Sequence, residues 1–209
     1  MPAAAATTRR DIAHSGHARR VAVLRCLVAS LVVTVLLAGL AVLIFWLVVR
    51  PKPIDYAVTR AVVRHFNVTP PPGATVNATF YLTFAARNPN RRVSILYEWV
   101  EFRVLYGESA QLALQDAPAF RQPRRNETRL DVRAVARSAP VGEQAARELR
   151  HDLAAGEVGV DVRMRARAQF KVAGVRHYSL EAFCSPVVVG LSPSAARSFQ
   201  SVPCDVAIS

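Results

Sequence analysis

The sequence is poor in the residue types from which most catalytic and metal sites are built. It contains five histidines, three cysteines and nine glycines in 209 residues. It has no His-Glu-x-x-His run, no cysteine and histidine spacing typical of zinc ligands, no Gly-x-Ser-x-Gly turn and no glycine-rich phosphate loop. We therefore expect no catalytic, metal-binding or cofactor-binding residues, no cofactor, and a protein that is not an enzyme.

Acidic residues are also scarce relative to basic ones. The chain has 15 Asp and Glu against 27 Lys and Arg, which gives a formal net charge of +12 at pH 7. From residue 51 onward the count is 21 basic to 14 acidic residues, a net charge of +7. This excess favours partners that carry many negative charges.

Charge is absent altogether from Cys26 to Val49, a run of 24 residues that reads CLVASLVVTVLLAGLAVLIFWLVV. About 20 apolar residues cross a hydrocarbon core of roughly 30 Å, whereas the apolar region of a cleaved signal is only about 7–15 residues long. The run therefore predicts a transmembrane helix over residues 26–49. It divides the chain into a basic tail of residues 1–25, a proline-rich stalk of residues 50–55 and one domain of residues 56–209.

The basic residues beside this helix are nearly equal in number on its two sides, so they do not fix its orientation. Glycosylation acceptor triplets begin at Asn67, Asn77 and Asn126, all after the helix. Cys184 and Cys204 are the only cysteines of the domain, which favours a disulfide in an oxidising compartment over two buried free thiols. We predict a single-pass type II membrane glycoprotein, with a cytosolic amino terminus and an extracellular domain.

Small residues recur every fourth position in the predicted helix, at Ser30, Thr34 and Ala38. Such a face lets a second helix approach closely, although small residues are also common in membrane helices that do not associate. The predicted partners of the helix are therefore the lipid bilayer and, through this face, a second copy of the chain.

Alternation of apolar and polar residues predicts strands throughout the domain. The alternation is clearest from Val158 to Phe170, and it places Asn77 and Thr79 on the outer face of another strand, where a glycan can be carried. The predicted strands cover residues 56–66, 76–87, 93–106, 129–137, 158–171, 175–184 and 202–208, and a helix covers residues 142–155 and ends at Gly156. This order predicts a mainly β protein with an antiparallel sandwich and one short helix.

The segment Ala85-Ala86-Arg87-Asn88-Pro89-Asn90, which closes the second predicted strand, resembles the Asn-Pro-Asn signature of the late-embryogenesis-abundant group-2 domain. The tail, the single span, the Pro-Lys-Pro exit, the helix before Gly156 and the final Cys204-Asp205-Val206 are placed as in plant harpin-induced-like proteins related to non-race-specific disease resistance. The resemblance covers residues 25–209.

The resemblance implies a plasma-membrane protein of land plants, with an immunoglobulin-like or fibronectin-like sandwich outside the cell and links to pathogen defence and stress responses. It brings no catalytic or cofactor residues, and only Asn88, Pro89 and Asn90 transfer as a motif. An Asn-Pro pair disfavours helix and initiates a turn. A turn at the end of a buried strand therefore accounts for the motif without a binding role.

The strand predicted over residues 158–171 has a basic outer face. Its residues are candidate contacts for polyanions, namely Arg163, Arg165, Arg167 and Lys171. Outside a plant cell the polyanion is acidic cell-wall polysaccharide, close to the bilayer it is anionic headgroup, and the predicted orientation excludes nucleic acid. The alternative is that these charges only keep the face soluble and discourage edge pairing.

Two functions of different classes follow from these patterns. The first is a non-enzymatic, membrane-anchored extracellular interaction module in pathogen defence or stress response, with acidic cell-wall polysaccharide or an immune-signalling protein as its partner. The alternative is a lipid-binding or lipid-handling domain at the membrane surface, with an acyl chain held between the sheets. The sequence shows no surplus of large apolar residues to line such a cavity.

Overall fold

A computed structural model describes residues 4–49, 52–107, 110–171, 175–192 and 198–209. Within these ranges the side chains of residues 4–22, 46, 48, 49, 171, 175 and 176 lie outside the description. The chain divides into two compact units, Met1–Arg50 and Pro51–Ser209.

The first unit contains a long helix, α1, Ala4–Val49. Its most apolar segment, Val23–Phe45, has 23 residues and a mean hydropathy of 2.9, and each side chain of this segment is exposed. A segment of this length measures about 35 Å at ~1.5 Å per residue, whereas the hydrocarbon core of a bilayer is roughly 30 Å thick. The helix is therefore long and apolar enough to cross a membrane. Its helical backbone also includes the predicted tail from residue 4 onward.

The predicted small-residue face lies on this helix, and its side chains are exposed. The hydroxyl of Thr34 donates a hydrogen bond to the backbone oxygen of Ser30 at 2.8 Å. The threonine therefore satisfies its donor within the helix, and its small side chain still allows a second helix to approach closely. Self-association through Ser30, Thr34 and Ala38 stays a prediction.

The second unit is an antiparallel β-sandwich, which confirms the predicted fold class. Its strands are β1 Asp55–Val68, β2 Thr75–Arg87, β3 Ser94–Tyr106, β4 Ala110–Ala117, β5 Phe120–Gln122, β6 Glu127–Pro140, β7 Glu157–Lys171, β8 Val175–Gly190, β9 Val202–Pro203 and β10 Asp205–Ile208. One sheet has the strand order β6-β2-β1-β9, and the other has the order β10-β8-β7-β3-β4 with β5 also paired to β3.

The apolar faces of the two sheets form one core. The rings of Phe84 in β2 and Phe102 in β3 meet edge to face with centroids 5.2 Å apart, and both side chains are almost completely buried. Truncating such a residue to alanine typically costs about 3–5 kcal/mol. The period of two in the sequence therefore separates a face turned to the common interior from a face turned to solvent.

The predicted helix is confirmed as α2, Glu143–Ala155. Ala146 and Leu149 are its buried residues, and they extend the apolar core beside the sheets. Gly156 has a φ of +86° and caps the helix with its backbone N–H. This left-handed conformation is disfavoured for residues with a Cβ, so the glycine fixes where the helix ends.

Two strands, β4 and β5, are absent from the sequence prediction, which left residues 107–128 without regular structure. The register between β3 and β4 shifts between Val104 and Leu105, so that Leu112 is an extra residue in β4. As a result Leu112 and Ala113 are both buried although they are consecutive. A bulge of this kind destroys the alternation on which the prediction depends.

The last predicted strand, residues 202–208, is divided at Cys204. β9 before it pairs with β1 in the four-stranded sheet, and β10 after it pairs with β8 in the six-stranded sheet. Cys204 donates its backbone N–H to the oxygen of Tyr56 at 3.0 Å, and a disulfide joins it to Cys184 of β8. The chain crosses between the sheets at this residue, so the disulfide fastens the crossing to both.

We expect Cys184→Ser and Cys204→Ser to abolish the difference in gel mobility between reduced and non-reduced protein, and to lower Tm to a similar extent. The bond closes a loop with a sequence separation of 20 residues. Closing a loop of that size stabilises by about 3 kcal/mol, or roughly 6–12 °C in Tm for a domain of this size. Full-length protein in detergent, run on gels and melted, provides the measurement.

Cys26→Ser is the matched control, because Cys26 is an exposed free thiol of α1 and its loss should change neither the mobility nor Tm. Labelling of both domain cysteines by a thiol reagent in the folded, secreted protein would contradict the disulfide.

Candidate functional site

The Asn-Pro-Asn motif begins directly after β2, and Asn88 is 1% exposed. Its amide nitrogen donates to the backbone oxygens of Val93 and Pro123 at 2.9 and 3.1 Å, and its amide oxygen accepts from the backbone N–H of Asn90 at 3.0 Å. Its own backbone N–H donates to the oxygen of Asn126 at 2.9 Å. The side chain therefore forms the predicted turn, and it also ties that turn to the segment between β5 and β6.

Asn90 has a different role, because its side chain binds the start of the domain. The amide oxygen of Asn90 accepts from the backbone N–H of Lys52 at 2.7 Å, and its amide nitrogen donates to the backbone oxygen of Lys52 at 2.8 Å. Ile54 is buried and β1 begins at Asp55. Residues 52–55 of the predicted stalk therefore pack with the sandwich, and the motif holds their backbone in place.

A buried polar network lies next to the motif. The hydroxyls of Tyr56 and Tyr97 are 2.6 Å apart, and the Tyr97 hydroxyl donates to the amide oxygen of Gln122 at 3.1 Å. The amide nitrogen of Gln122 donates to the backbone oxygen of Ala86 at 2.6 Å. Burial raises the pKa of Tyr56 to about 12, and burial followed by the proximity of Tyr56 raises the pKa of Tyr97 above its ordinary range. Both hydroxyls therefore stay protonated at physiological pH.

The three acceptor asparagines lie in different surroundings. Asn67 is exposed near the end of β1, and Asn126 is exposed in the turn before β6. Asn77 is half-buried, and its amide oxygen accepts from the backbone N–H of Ser138 at 2.9 Å beside a bulge in β6. Thr79, two residues after Asn77 in β2, is only 9% exposed. Among the three glycosylation candidates, Asn126 is the one that is both exposed and in a turn.

The predicted basic face lies on the outer side of the six-stranded sheet, and part of it is charge-compensated. The guanidinium nitrogens Nε of Arg163 and Arg165 lie 3.5 and 3.2 Å from the same carboxylate oxygen of Glu181. Arg167 is exposed, and the side chain of Lys171 lies outside the described residues. The shared carboxylate favours the interpretation that these arginines stabilise and solvate the sheet.

A second group of basic residues, which the sequence analysis missed, lies on the outer side of the four-stranded sheet. We refer to Arg60, Arg64, Tyr81 and Arg133 as the Arg-Tyr surface. Arg60 and Arg64 lie on β1, Tyr81 on β2 and Arg133 on β6, in one continuous register. Each occupies an outward position of an alternating strand, and the sequence pattern shows this. The pattern does not show that these three strands pair with one another.

Groups of three or more histidine, cysteine, aspartate or glutamate side chains placed to hold a metal ion are absent from the part of the chain that the structure describes. The side chains that the structure brings together are the guanidinium and phenol groups of the Arg-Tyr surface and the phenol and amide groups of the buried network. Guanidinium groups suit carboxylate or phosphate ligands rather than metal ions.

We expect Asn90→Ala to lower the unfolding free energy by about 1–3 kcal/mol, because it leaves both backbone groups of Lys52 without their partner. Asn90→Asp keeps an acceptor for the Lys52 N–H and loses the donor to its oxygen, so its effect should be intermediate. Thermal melts and hydrogen exchange at the Lys52 amide measure both effects. Asn67→Ala removes an exposed asparagine and should change neither Tm nor the exchange rate at Lys52. An unchanged Tm in Asn90→Ala would show that the two hydrogen bonds between Asn90 and Lys52, which we call the clamp, contribute nothing to stability.

We expect the unfolding free energy to fall as pH rises from about 10 toward 12. A tyrosine whose pKa is raised in the folded state contributes stability that is fully present below the ordinary tyrosine pKa of 10.0. This contribution is lost as pH approaches the folded pKa of Tyr56, about 12. Urea midpoints between pH 8 and pH 12 report this loss. Tyr56→Phe should reduce the slope without abolishing it, because the pKa values of Tyr97 and Tyr106 are raised as well. Tyr81→Phe, at an exposed position, should leave the slope intact, and equal slopes in all three proteins would refute the assignment.

The sequence has relatives in plants. The profile of the family described as late embryogenesis abundant protein matches residues 83–184, a segment that contains the Asn-Pro-Asn motif. An uncharacterised protein of Arabidopsis thaliana is 30% identical over 188 residues, which cover 89% of this chain and 84% of the relative.

Two further Arabidopsis thaliana proteins are similar over most of their length. NDR1/HIN1-like protein 3 is 27% identical over 180 residues, which cover 84% of this chain and 77% of that protein. NDR1/HIN1-like protein 10 is 29% identical over 157 residues, which cover 72% and 68%. With the motif, the sandwich and these similarities together, the chain belongs to the late embryogenesis abundant protein family and is related to the NDR1/HIN1-like proteins.

Proposed function

We propose that the protein is a non-enzymatic, single-pass membrane protein of the plant cell surface, whose sandwich domain acts outside the cell as an interaction module in pathogen defence or stress response. The observation that carries this proposal is the exposed apolar segment Val23–Phe45 joined by a few residues to a domain with its own core. An exposed apolar surface of this size is unfavourable in water and favourable in a bilayer. The relationship to NDR1/HIN1-like proteins supports the physiological setting.

The chemistry of the domain supports an extracellular location. Its two cysteines form a disulfide, and disulfides persist in oxidising compartments. Its exposed Asn126 begins a glycosylation triplet, and the tail before the helix contains none. An extracellular domain on an amino-terminal anchor corresponds to a type II orientation at the plasma membrane.

The interior supports binding at the surface over catalysis or lipid storage. Large aromatic and aliphatic side chains fill the space between the sheets, among them Phe80, Phe84, Tyr97, Phe102 and Leu180. The buried hydroxyl and amide groups of the Tyr97 network are paired with each other and with the backbone. The alternative of a lipid-handling domain has no specific observation in its favour, so the proposed partners are an acidic cell-wall polysaccharide or an immune-signalling protein.

The orientation can be tested with full-length protein that carries a different epitope tag at each end, expressed in plant protoplasts. We expect external protease to remove the carboxy-terminal tag and to leave the amino-terminal tag intact. We also expect endoglycosidase to increase gel mobility, and this shift to decrease in Asn126→Gln. Thr128→Ser is the matched control, because it keeps the acceptor triplet and should keep the shift.

Protection of the carboxy-terminal tag on intact cells would overturn the proposed location. Stoichiometric lipid that remains bound to the sandwich in native mass spectrometry would replace the interaction module with the lipid-handling function.

A further inference from the structure

We propose that the Arg-Tyr surface binds an extended acidic polysaccharide, a polyuronate. The surface lies on the outer face of the four-stranded sheet, and its groove has a volume of about 370 Å³. This inference deepens the proposed function by naming a ligand class and a site, and its physiological setting rests on the extracellular location proposed above. Binding by the purified protein does not depend on the orientation in the membrane. The proposed binding site and the proposed extracellular location can therefore fail separately.

The first argument is uncompensated charge. The side chains of Arg60, Arg64 and Arg133 are exposed, and no carboxylate among the described residues lies within 4.0 Å of their guanidinium nitrogens. Asp131, which also lines the groove, accepts a hydrogen bond from the Thr83 hydroxyl at 2.8 Å. The surface therefore has a positive potential that a carboxylate-bearing ligand can neutralise.

The second argument is preorganisation around Tyr81. The guanidinium carbons of Arg64 and Arg133 lie 5.7 and 5.9 Å from the centroid of its ring, within the range of a cation–π interaction. The ring is 38% exposed. Because the ring holds two guanidinium groups before a ligand arrives, less side-chain entropy is lost when each arginine pairs with a carboxylate.

The third argument is the distance between the backbone positions that carry the arginines. Arg60 and Arg64 lie four residues apart on one face of β1 without an intervening bulge, a separation of about 13 Å along the strand. Arg133 lies two strands away from β1, a separation of about 10 Å. Arg64 and Arg133 both lie against the Tyr81 ring, and Arg60 lies four residues from Arg64 along β1. A ligand that is long and carries repeated negative charges can pair with all three arginines at once.

The fourth argument is the character of the groove. It is an open depression across β1, β2 and β6, and its lining combines the three guanidinium groups with the Tyr81 ring, the Thr83 hydroxyl and the Asp131 carboxylate. A polyuronate has a carboxylate on each sugar for the arginines, hydroxyls for the polar groups and an apolar sugar face for the ring. The open shape suits a chain that passes across the sheet rather than a small molecule that must be enclosed.

The test uses full-length protein in neutral detergent and immobilised polygalacturonate in dilute salt. We expect the triple variant Arg60→Gln, Arg64→Gln and Arg133→Gln to weaken binding about tenfold or more, and added salt to weaken the native binding as exposed ion pairs are screened. Tyr81→Ala should weaken binding severalfold, whereas Tyr81→Phe keeps the ring and should restore it. Methyl-esterified polygalacturonate, with the same backbone and fewer charges, should bind weakly.

The matched control is the triple variant Arg163→Gln, Arg165→Gln and Arg167→Gln, which removes the same charge from the partly compensated outer face of the other sheet and should change binding less than twofold. Equal losses in the two triple variants would show that net charge alone attracts the polymer and would overturn the site. Absence of binding to polygalacturonate, or stronger binding to phosphatidylserine vesicles than to the polymer, would also overturn it. Melting temperatures within a few degrees of the native value establish that each variant is folded.

Discussion

The sandwich depends on hydrogen bonds to the polar groups that are buried where β1, the Asn-Pro-Asn motif and β5 meet. Because strands end in this region, some backbone groups lack partners in a neighbouring strand, and side-chain amides take their place. Asn88 and Gln122 donate to backbone oxygens, and Asn90 bonds to the backbone N–H and the backbone oxygen of Lys52. An unpaired buried group costs about 1–3 kcal/mol, which is a large share of a typical net stability of about 5–15 kcal/mol. The family motif is therefore a structural joint between the first residues of the domain and its core.

The two outer faces of the sandwich differ in how their charges are balanced. On the six-stranded sheet Glu181 lies beside both Arg163 and Arg165, so the arginines are partly neutralised within the domain. On the four-stranded sheet two arginines contact an aromatic ring, which orients their charge without cancelling it. Net charge along the chain does not distinguish these cases. The second face therefore has more charge available to a partner than the pair of arginines beside Glu181.

The sequence predicts those parts of the fold that depend on local patterns. The alternation in β7, the apolar run of α1 and the glycine that ends α2 each encode their element within a few residues. β4 was missed because a bulge buries Leu112 and Ala113 together, and the clamp between Asn90 and Lys52 joins residues 38 positions apart. The Arg-Tyr surface was missed for a related reason: period two places each of its residues outward, but no local pattern shows that β1, β2 and β6 are neighbours.

The same distribution of polar groups supports the binding role proposed for this domain. A catalytic group needs a shifted pKa together with access to a substrate. Here burial raises the pKa of three tyrosines: Tyr56 and Tyr97 are buried and hydrogen-bonded to each other, and Tyr106, which is 9% exposed, donates its hydroxyl to Asp152 at 3.0 Å. The hydroxyls of all three are therefore already engaged within the domain. The exposed cations of the Arg-Tyr surface are guanidinium groups, which bind ligands by attraction and bidentate hydrogen bonding rather than by proton transfer. Two of them contact an exposed aromatic ring, so this surface is suited to holding an acidic ligand.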